Sequence, residues 1–185
     1  MNEVLKTFSE RYSCRDYTGA PVEQVKLDQI ATAALQSPSA LNKQPWHVIC
    51  IKDQALMQEI NDHALEVIKA LPDQSVYERT MARGGNPYYK APGMFLVLKK
   101  TGESAWADVD CGIVAQSIAI SAKSVGVSTV IAAICQTVFN GERADEFKAK
   151  VNWPEGYEFG MGVIYGYEAS TGTQHELDQS KVSFV

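Results

Sequence analysis

Arg11-Tyr12-Ser13-Cys14-Arg15 and Ser37-Pro38-Ser39-Ala40-Leu41-Asn42-Lys43-Gln44-Pro45-Trp46 are the two stretches from which the fold of this chain is inferred. In the first stretch, two arginines and a serine occupy alternate positions, so an extended backbone would point all three side chains the same way. Arginine offers planar, permanently charged donors and serine adds a short donor, a combination that suits a phosphate or an electron-rich ring edge. The second stretch is a polar loop that leads into an apolar strand.

The composition is that of an ordinary globular chain, and we expect residues 1–185 to form one domain. The formal net charge of -5 argues against a general nucleic-acid surface, so an anionic ligand would have to be held by a local cluster of cations. No apolar run approaches the roughly 20 residues of a membrane span. The N-terminus also lacks the basic-then-apolar pattern of a secretion signal, and we therefore expect a cytoplasmic location with no membrane partner.

The cysteines lie far apart in the sequence, with neither a Cys-x-x-Cys pair nor the Cys/His spacing of zinc sites. We therefore expect free thiols and no metal site. Cys14 allows two interpretations. Its flanking arginines could lower the thiol pKa and make it reactive, or it is simply a small residue tolerated between two ligand-binding positions.

Hydrophobic periodicity predicts helices over residues 2–10, 22–36, 54–71, 73–83, 106–125 and 140–150. Short apolar runs predict strands over residues 46–52, 93–99, 127–135 and 157–167. Helices and strands do not alternate regularly, and no Gly-x-Gly-x-x-Gly follows the first strand, which argues against a Rossmann domain. The predicted fold class is α+β, with a mixed, mainly antiparallel sheet wrapped by helices.

Two segments indicate contacts beyond the core of one chain. The helix over 106–125 is rich in Ala, Ser and Gly, so it is expected to be buried on several sides, in the core or at a subunit interface. Residues 182–185 (Val-Ser-Phe-Val) resemble a strand but have no partner in the order of the chain. We predict that this C-terminal strand is exchanged in a dimer.

Taken together, the two opening stretches resemble the nitroreductase family of FMN-dependent NAD(P)H oxidoreductases. That family begins with Arg-x-Ser-x-Arg or Lys and continues with Pro-Ser-x-x-Asn-x-Gln-Pro-Trp. Further segments fall where the family has similar ones, namely 91–92 (Ala-Pro), 110–112 (Asp-Cys-Gly) and 154–157 (Pro-Glu-Gly-Tyr). The chain is identified as a member of this family, with a nitroreductase-like fold.

The resemblance implies a set of FMN contacts. Arg11 would hold the FMN phosphate, Ser13 would touch the flavin or its ribityl chain, and Arg15 would lie at the N1/O2 edge of the ring. A fixed cation at that edge stabilises the negative charge of the reduced flavin. The Pro-Ser-x loop of the partner subunit, here Pro38, Ser39 and Ala40, would reach the same flavin across a homodimer interface.

Other implied contacts are less specific. Asn42 and Gln44 would add polar contacts, or alternatively satisfy backbone groups of their own loop. The family also supplies a backbone N–H to flavin N5 after the long helix, which here falls on Ala132, Ala133 or Ile134. Where many relatives end with a Lys-x-Arg pair, this chain offers only Lys181, or a protonated His175, as a second phosphate ligand.

Two loops remain open to either interpretation. Gly84-Gly85 is a flavin neighbour or a plain helix terminator. Tyr88 or Tyr89 stacks on a nicotinamide or substrate ring, or only packs in the core.

The resemblance implies ping-pong catalysis in which NAD(P)H delivers hydride to flavin N5 and a second substrate then takes the electrons. A nitroaromatic, a quinone or a similar small acceptor fits that role. No catalytic His/Asp/Ser set is visible, because the flavin supplies the chemistry. The alternatives are an enone reductase, a flavin-binding or carrier protein with little NAD(P)H turnover, or a structural dimer that has lost its cofactor.

Overall fold

A computed structural model describes residues 1–103 and 105–185 of the chain. In the described part, a sheet contains the strands β1 (Trp46–Ile51), β2 (Gly93–Lys100), β3 (Ser128–Ile131) and β4 (Tyr157–Gly166) in the order β1-β2-β4-β3. All the neighbouring strands are antiparallel. The one parallel contact is an isolated bridge between Ser13 and Thr129. The predicted α+β class with a mainly antiparallel sheet is confirmed.

The helices are α1 (Glu3–Glu10), α2 (Gln24–Leu35), α3 (Gln54–Ala70), α4 (Ser75–Ala82), α5 (Trp106–Ser124), α6 (Gln136–Phe139) and α7 (Ala144–Lys150). Local sequence signals explain two of their ends. The Asp53 carboxylate accepts hydrogen bonds from the N–H groups of Ala55 (2.8 Å) and Leu56 (3.1 Å), which caps α3. Gly126 takes a left-handed φ of 76° just after α5 and ends that helix.

The side chains of β2 divide the core into two clusters. Met94, Leu96 and Leu98 point to the face covered by α3, α6 and α7, whereas Phe95 and Val97 point to the face covered by α2 and α5. This alternation is the period of two expected for a strand. Because β2 lies in the interior of the sheet and both its faces are covered, its sequence is an uninterrupted apolar run.

Two predicted boundaries are wrong. The third strand ends at Ile131 instead of Cys135, because Ala132 donates its N–H to the Gly162 carbonyl (2.9 Å) and the chain then turns into a 3₁₀ segment, Ala133–Cys135. The helix predicted from residue 140 begins at Ala144, because residues 136–139 form the separate helix α6.

The C-terminal segment does not join the sheet of its own chain. Residues 182–185 form no strand in the described structure, and the Phe184 side chain is 95% exposed. The predicted exchange of this segment in a dimer stays a prediction. Among the described residues, no helix is both long enough and apolar enough to span a bilayer.

Candidate functional site

Residues 11–15 run extended along the outer edge of β3. Ser13 forms a bridge with Thr129, and the Cys14 N–H donates to the Thr129 carbonyl at 3.0 Å. Tyr12 and Cys14 are buried, whereas Arg11 and Ser13 are partly exposed and Arg15 is exposed. Successive side chains of an extended segment point to opposite sides, so this alternation of burial places the two arginines and the serine on one face, as predicted.

Glu168 holds residues 11–15 against β3 through side-chain hydrogen bonds. Its carboxylate accepts hydrogen bonds from the Tyr12 hydroxyl and from the Ser128 hydroxyl (2.7 Å). These bonds hold the pKa of Glu168 below its usual value, with the Tyr12 bond as the largest cause. Burial, assisted by the Glu168 bond, raises the pKa of Tyr12 to about 12. Tyr12 is therefore a neutral donor near pH 7 and Glu168 a charged acceptor, which fixes the segment against β3.

The Cys14 thiol is not a reactive group. Its side chain is 1% exposed and donates to the Asp16 carbonyl at 3.3 Å. Burial raises the pKa of this thiol, in the direction opposite to the effect that flanking arginines could have had. The interpretation of Cys14 as a small residue between two outward-facing positions is the one the structure supports.

Arg15 lies in a cavity of about 500 Å³ together with Ala132 and Ala133. This Arg15 cavity brings together three of the predicted site residues, because the extended segment follows β3 and the chain turns sharply where β3 ends. Its other walls include Tyr89, Ile134, Arg79 of α4 and Arg83, which directly follows that helix. A cavity of this size is in the range of cofactor and ligand sites.

The backbone of residues 132–134 is held against β4. The Ala132 N–H is occupied by the Gly162 carbonyl, whereas the N–H groups of Ala133 and Ile134 have no acceptor among the described residues. A Cβ on Gly162 would overlap the Cys135 side chain and lie 3.0 Å from the Ala132 carbonyl oxygen. The absence of a side chain at Gly162 therefore permits the close approach that leaves two backbone donors free.

The second opening stretch folds into a tight loop around a 3₁₀ turn, Ala40–Asn42. The Ala40 N–H donates to the buried Asp110 carboxylate of α5 at 3.0 Å. Within the loop, the Gln44 N–H donates to the Ser39 hydroxyl and the Gln44 side-chain amide donates to the Asn42 side chain, each at 2.9 Å. Asn42 and Gln44 thus bind each other, and in this chain they do not reach the Arg15 cavity.

This loop borders a different cavity. Pro38, Ser39 and Ala40 line a cleft of about 650 Å³ with Trp106, Val109 and Ile113 of α5. A groove of about 580 Å³ continues along α5 past Val109 and Ile113 to Phe8 of α1. No residue lines both this Trp106 cleft and the Arg15 cavity. One chain therefore does not bring residues 38–40 to Arg15.

The remaining predicted residues are placed as follows. Arg11 follows α1 directly, and its N–H donates to the Thr7 carbonyl at 3.0 Å. Lys181 is exposed in a 3₁₀ turn, 3.9 Å from the Asp178 carboxylate. Neither side chain lines the Arg15 cavity. In a single chain the two proposed phosphate ligands are not brought together with Arg15.

The structure bears on the alternative interpretations of Gly84-Gly85 and of the pair Tyr88-Tyr89. Gly85 lies 3.5 Å from the Met81 sulfur, measured from an ideal Cβ position, and neither Gly84 nor Gly85 lines the Arg15 cavity. Their N–H groups donate to the carbonyls of Met81 (3.1 Å, from Gly84) and Thr80 (3.0 Å, from Gly85), which supports their interpretation as the end of α4. Tyr88 is buried in the core, and only Tyr89 of the tyrosine pair lines the cavity.

Sequence reasoning missed Arg79 and Arg83. The signal for them was their i, i+4 spacing in a predicted helix, which places both side chains on one face. It also missed the anchoring role of Asp110 and the steric role of Gly162. A buried carboxylate and a glycine within a strand are each detectable in a sequence, but their partners, Ala40 and Cys135, are not.

Comparisons with known proteins give a consistent result. A model of the nitroreductase family matches residues 8–167. A crystal structure of a nitroreductase with bound FMN from Desulfitobacterium hafniense is 41% identical in sequence and superposes with a TM-score of 0.96, covering 100% of this chain and 99% of that one. A nitroreductase from Bacteroides fragilis, 21% identical with a TM-score of 0.86 and full coverage of both chains, shares the fold.

One curated relative matches over nearly the whole length. A protein of Archaeoglobus fulgidus with the provisional name NADH dehydrogenase/NAD(P)H nitroreductase is 25% identical over 178 residues, which are 96% of this chain and 92% of that protein. The family match over residues 8–167 and the fold agree with the motifs at positions 11–15 and 37–46. This chain belongs to the nitroreductase family.

Proposed function

We propose that this protein, as one domain over residues 1–185, is an FMN-dependent oxidoreductase that uses NAD(P)H as reductant. The observation that carries the proposal is the Arg15 cavity of about 500 Å³, which is lined by a permanent cation and by two residues whose backbone N–H groups have no acceptor among the described residues. Two relatives support the proposal. One is the FMN-bound protein of D. hafniense. The other is an NAD(P)H-dependent FMN reductase of Bacillus subtilis, which is 41% identical over 64 residues, 35% of this chain and 26% of that one. The predicted cofactor and enzyme class are confirmed at this level.

The residues present fit a flavin ring. Arg15 would stabilise negative charge at the N1/O2 edge, and its permanent charge suits that role at every physiological pH. Ala133 or Ile134 would donate to N5, because the Ala132 N–H already binds Gly162. Bound FMN would accept a hydride from NAD(P)H and pass two electrons to the acceptor.

The second half of the site is assigned to a partner copy. Pro38, Ser39 and Ala40 line the apolar Trp106 cleft, and the exposed Leu41 lies beside them with a φ of 54°. An exposed leucine in the left-handed region is uncommon and supports a role in a contact outside the chain. In a homodimer this surface would be covered, and residues 38–40 would approach the partner's flavin.

The dimer would also complete the phosphate site and use the C-terminal segment. Neither Arg11 nor Lys181 lines the Arg15 cavity of its own chain, and we propose that a second copy brings them to the FMN phosphate. Residues 182–185, which are without a strand partner in the described structure, would exchange between the subunits. A single cation would hold FMN less tightly than two.

The reaction assigned to the site is ping-pong. NAD(P)H transfers a hydride and leaves, and a nitroaromatic, quinone or similar acceptor then takes two electrons and two protons in the same cavity. Reduction of a quinone to a hydroquinone, or of a nitro group to a nitroso group and water, satisfies this balance. We expect the reaction to occur in the cytoplasm.

The test is the visible spectrum of the purified protein, followed by anaerobic addition of NADH or NADPH. We expect a flavin band that is released as FMN on denaturation and that bleaches with the reductant. A colourless protein that does not bind added FMN would contradict the function. Tight FMN binding without bleaching would favour the carrier alternative, and turnover with enones but not nitroaromatics would favour the enone reductase.

The phosphate role of Arg11 has its own test. Arg11→Ala is expected to weaken FMN binding, whereas Lys100→Ala, an exposed lysine away from both cavities, is expected to leave it unchanged. Equal FMN affinity in the two variants would contradict the role of Arg11.

A further inference from the structure

We propose that Arg79 and Arg83 form an anion-binding site in the Arg15 cavity, which selects substrates that carry a carboxylate or a phosphate in addition to their reacting ring. The proposal rests on the function proposed above and deepens it, because it assigns a substrate class to the same cavity. Both arginines are exposed and both line the cavity, so their guanidinium groups are accessible to a ligand that enters from solvent.

The helix α4 places the two arginines as a pair. Residues four apart lie one turn above each other on the same face of an α-helix. Arg79 is in the last turn of α4 and Arg83 is its C-terminal flanking residue. Two cations one turn apart would repel each other if the site stayed without an anion, and a carboxylate or phosphate between them relieves that repulsion.

The charges around the cavity are unbalanced. Among the described residues, those that line the Arg15 cavity include three arginines and no Asp or Glu. None of the three has a carboxylate within the 4.0 Å of an ion pair in the described part of the chain, whereas Arg143 and Lys150 each pair with a glutamate. The Asp73 carboxylate interacts weakly with Arg79, and its pKa is lowered mainly by hydrogen bonds from Ser75.

This imbalance occurs in a protein whose formal net charge is -5. A concentration of arginines without acidic neighbours at one cavity of an acidic chain gives a local positive potential that attracts anions. Arg15 alone supplies the cation for the ring edge. Arg79 and Arg83 come from a different element of the chain and are in excess of that need.

The other walls of the cavity indicate an aromatic anion. Tyr89 is partly buried beside the arginines, and its position is fixed because the Asn86 side chain accepts the N–H groups of Tyr88 (3.0 Å) and Lys90 (3.1 Å). A tyrosine ring and the apolar Pro87 offer flat contact area next to the two charges. A benzoate-like acceptor or the phosphate of a dinucleotide fits this combination.

The experiment is isothermal titration calorimetry of the FMN-loaded protein with matched pairs of ligands. The first pair is 4-nitrobenzoate and 4-nitrobenzamide, which differ in charge but hardly in shape. The second pair is NADP⁺ and NAD⁺, which differ in one phosphate. We expect the more negatively charged member of at least one pair to bind about tenfold more tightly, with the preference reduced at about 0.5 M salt.

Three double variants test which residues cause the preference for the more negatively charged ligand. Arg79→Gln/Arg83→Gln should remove most of it, and Arg79→Lys/Arg83→Lys should retain part of it because the charge remains. Lys69→Gln/Lys100→Gln removes the same charge from exposed positions outside the cavity and should leave the preference unchanged. A preference in the first pair assigns the site to the acceptor, and a preference in the second assigns it to the reductant.

The outcomes separate this proposal from the proposed function. Equal binding within both pairs, or an equal preference in the glutamine double variant and the wild type, would overturn the anion site. A protein that holds no FMN would overturn the proposed function instead, and the same titrations without flavin would still decide whether Arg79 and Arg83 select anions.

Discussion

The Arg15 cavity and the Trp106 cleft are built in opposite ways. The Arg15 cavity carries three arginines and free backbone donors, and its walls come from distant parts of one chain. The Trp106 cleft is mostly apolar and borders a loop with left-handed backbone at Leu41, Asn42 and Gln44. One chain supplies the three arginines of the first region, whereas it leaves the second region with exposed apolar side chains. The difference fits the proposal that the polar contacts come from one chain and that the apolar surface serves assembly.

The largest expected effect concerns the wall of the Arg15 cavity at Gly162. Gly162→Ala places a methyl group where Cys135 already packs, and we expect the free energy of unfolding to fall by about 1–3 kcal/mol. FMN affinity should also fall, because the backbone of residues 132–134 must shift. Chemical denaturation and flavin titration measure the two effects.

A second substitution tests whether the clash with Cys135 causes the loss of stability in Gly162→Ala. Adding Cys135→Gly to Gly162→Ala removes both clashing atoms, the sulfur and the Cβ, so the double variant should lose less stability than the sum of the two single variants. Simple additivity would mean that the two side chains do not interact there.

The next effect concerns the anchor of the Trp106 cleft. Asp110→Ala removes the acceptor of the Ala40 N–H, and the expected loss is about 1–2 kcal/mol because that N–H is left unsatisfied in a partly buried position. Asp110→Asn keeps an oxygen acceptor and should lose clearly less. Limited proteolysis within residues 38–44 should be faster for the alanine variant. Equal stability of the Ala and Asn variants would contradict the anchor.

A smaller effect on stability concerns Glu168, which holds residues 11–15 against β3. The folded state lowers the pKa of Glu168, so its ionised form contributes stability above its unfolded pKa of about 4.3, and this stability is lost as the pH falls through the lower folded pKa. Glu168→Gln should cost about 1 kcal/mol at pH 7, because bonds to a charged acceptor are stronger than bonds to a neutral one. The difference from the wild type should shrink below about pH 4.

The control for Glu168 is Glu176→Gln. Glu176 is exposed and has no hydrogen-bond or ion-pair partner in residues 1–103 and 105–185. Its substitution should leave the pH dependence of the melting temperature unchanged. A difference for Glu168→Gln that persists undiminished at pH 3 would mean that the charge of Glu168 is not what stabilises the segment.

The smallest effect on folding concerns Leu41 in the Trp106 cleft. Leu41 is 90% exposed, so Leu41→Ser should leave the circular dichroism spectrum unchanged. If a second copy covers the cleft, the same substitution should shift sedimentation toward the monomer. Leu71→Ser removes an exposed leucine outside the cleft and should not shift it. Equal sedimentation of both variants and the wild type would contradict the assembly role.

Predictions from the sequence were accurate where the interactions are local. The alternation of residues 11–15, the start of the helix predicted from residue 54 and the end of the helix predicted to residue 125 depend on residues a few positions apart, such as Asp53 and Gly126. The predicted end of the third strand was wrong, because the strand ends at a hydrogen bond from Ala132 to Gly162, which lies thirty positions further along the sequence. Periodicity carries no information about such a distant partner.

The candidate site divides in the same way. The sequence by itself determined the residue types and spacing of the motifs at 11–15 and 37–46, and through them the α+β fold and the family. Only the tertiary structure decided that Arg79 and Arg83 line the same cavity as Arg15 and that residues 38–40 lie in a separate cleft. It also decided that the Ala132 N–H donates to the Gly162 carbonyl. The physical reason is that these relations depend on the strand order β1-β2-β4-β3 and on packing between distant segments, whereas a motif records only neighbours along the chain.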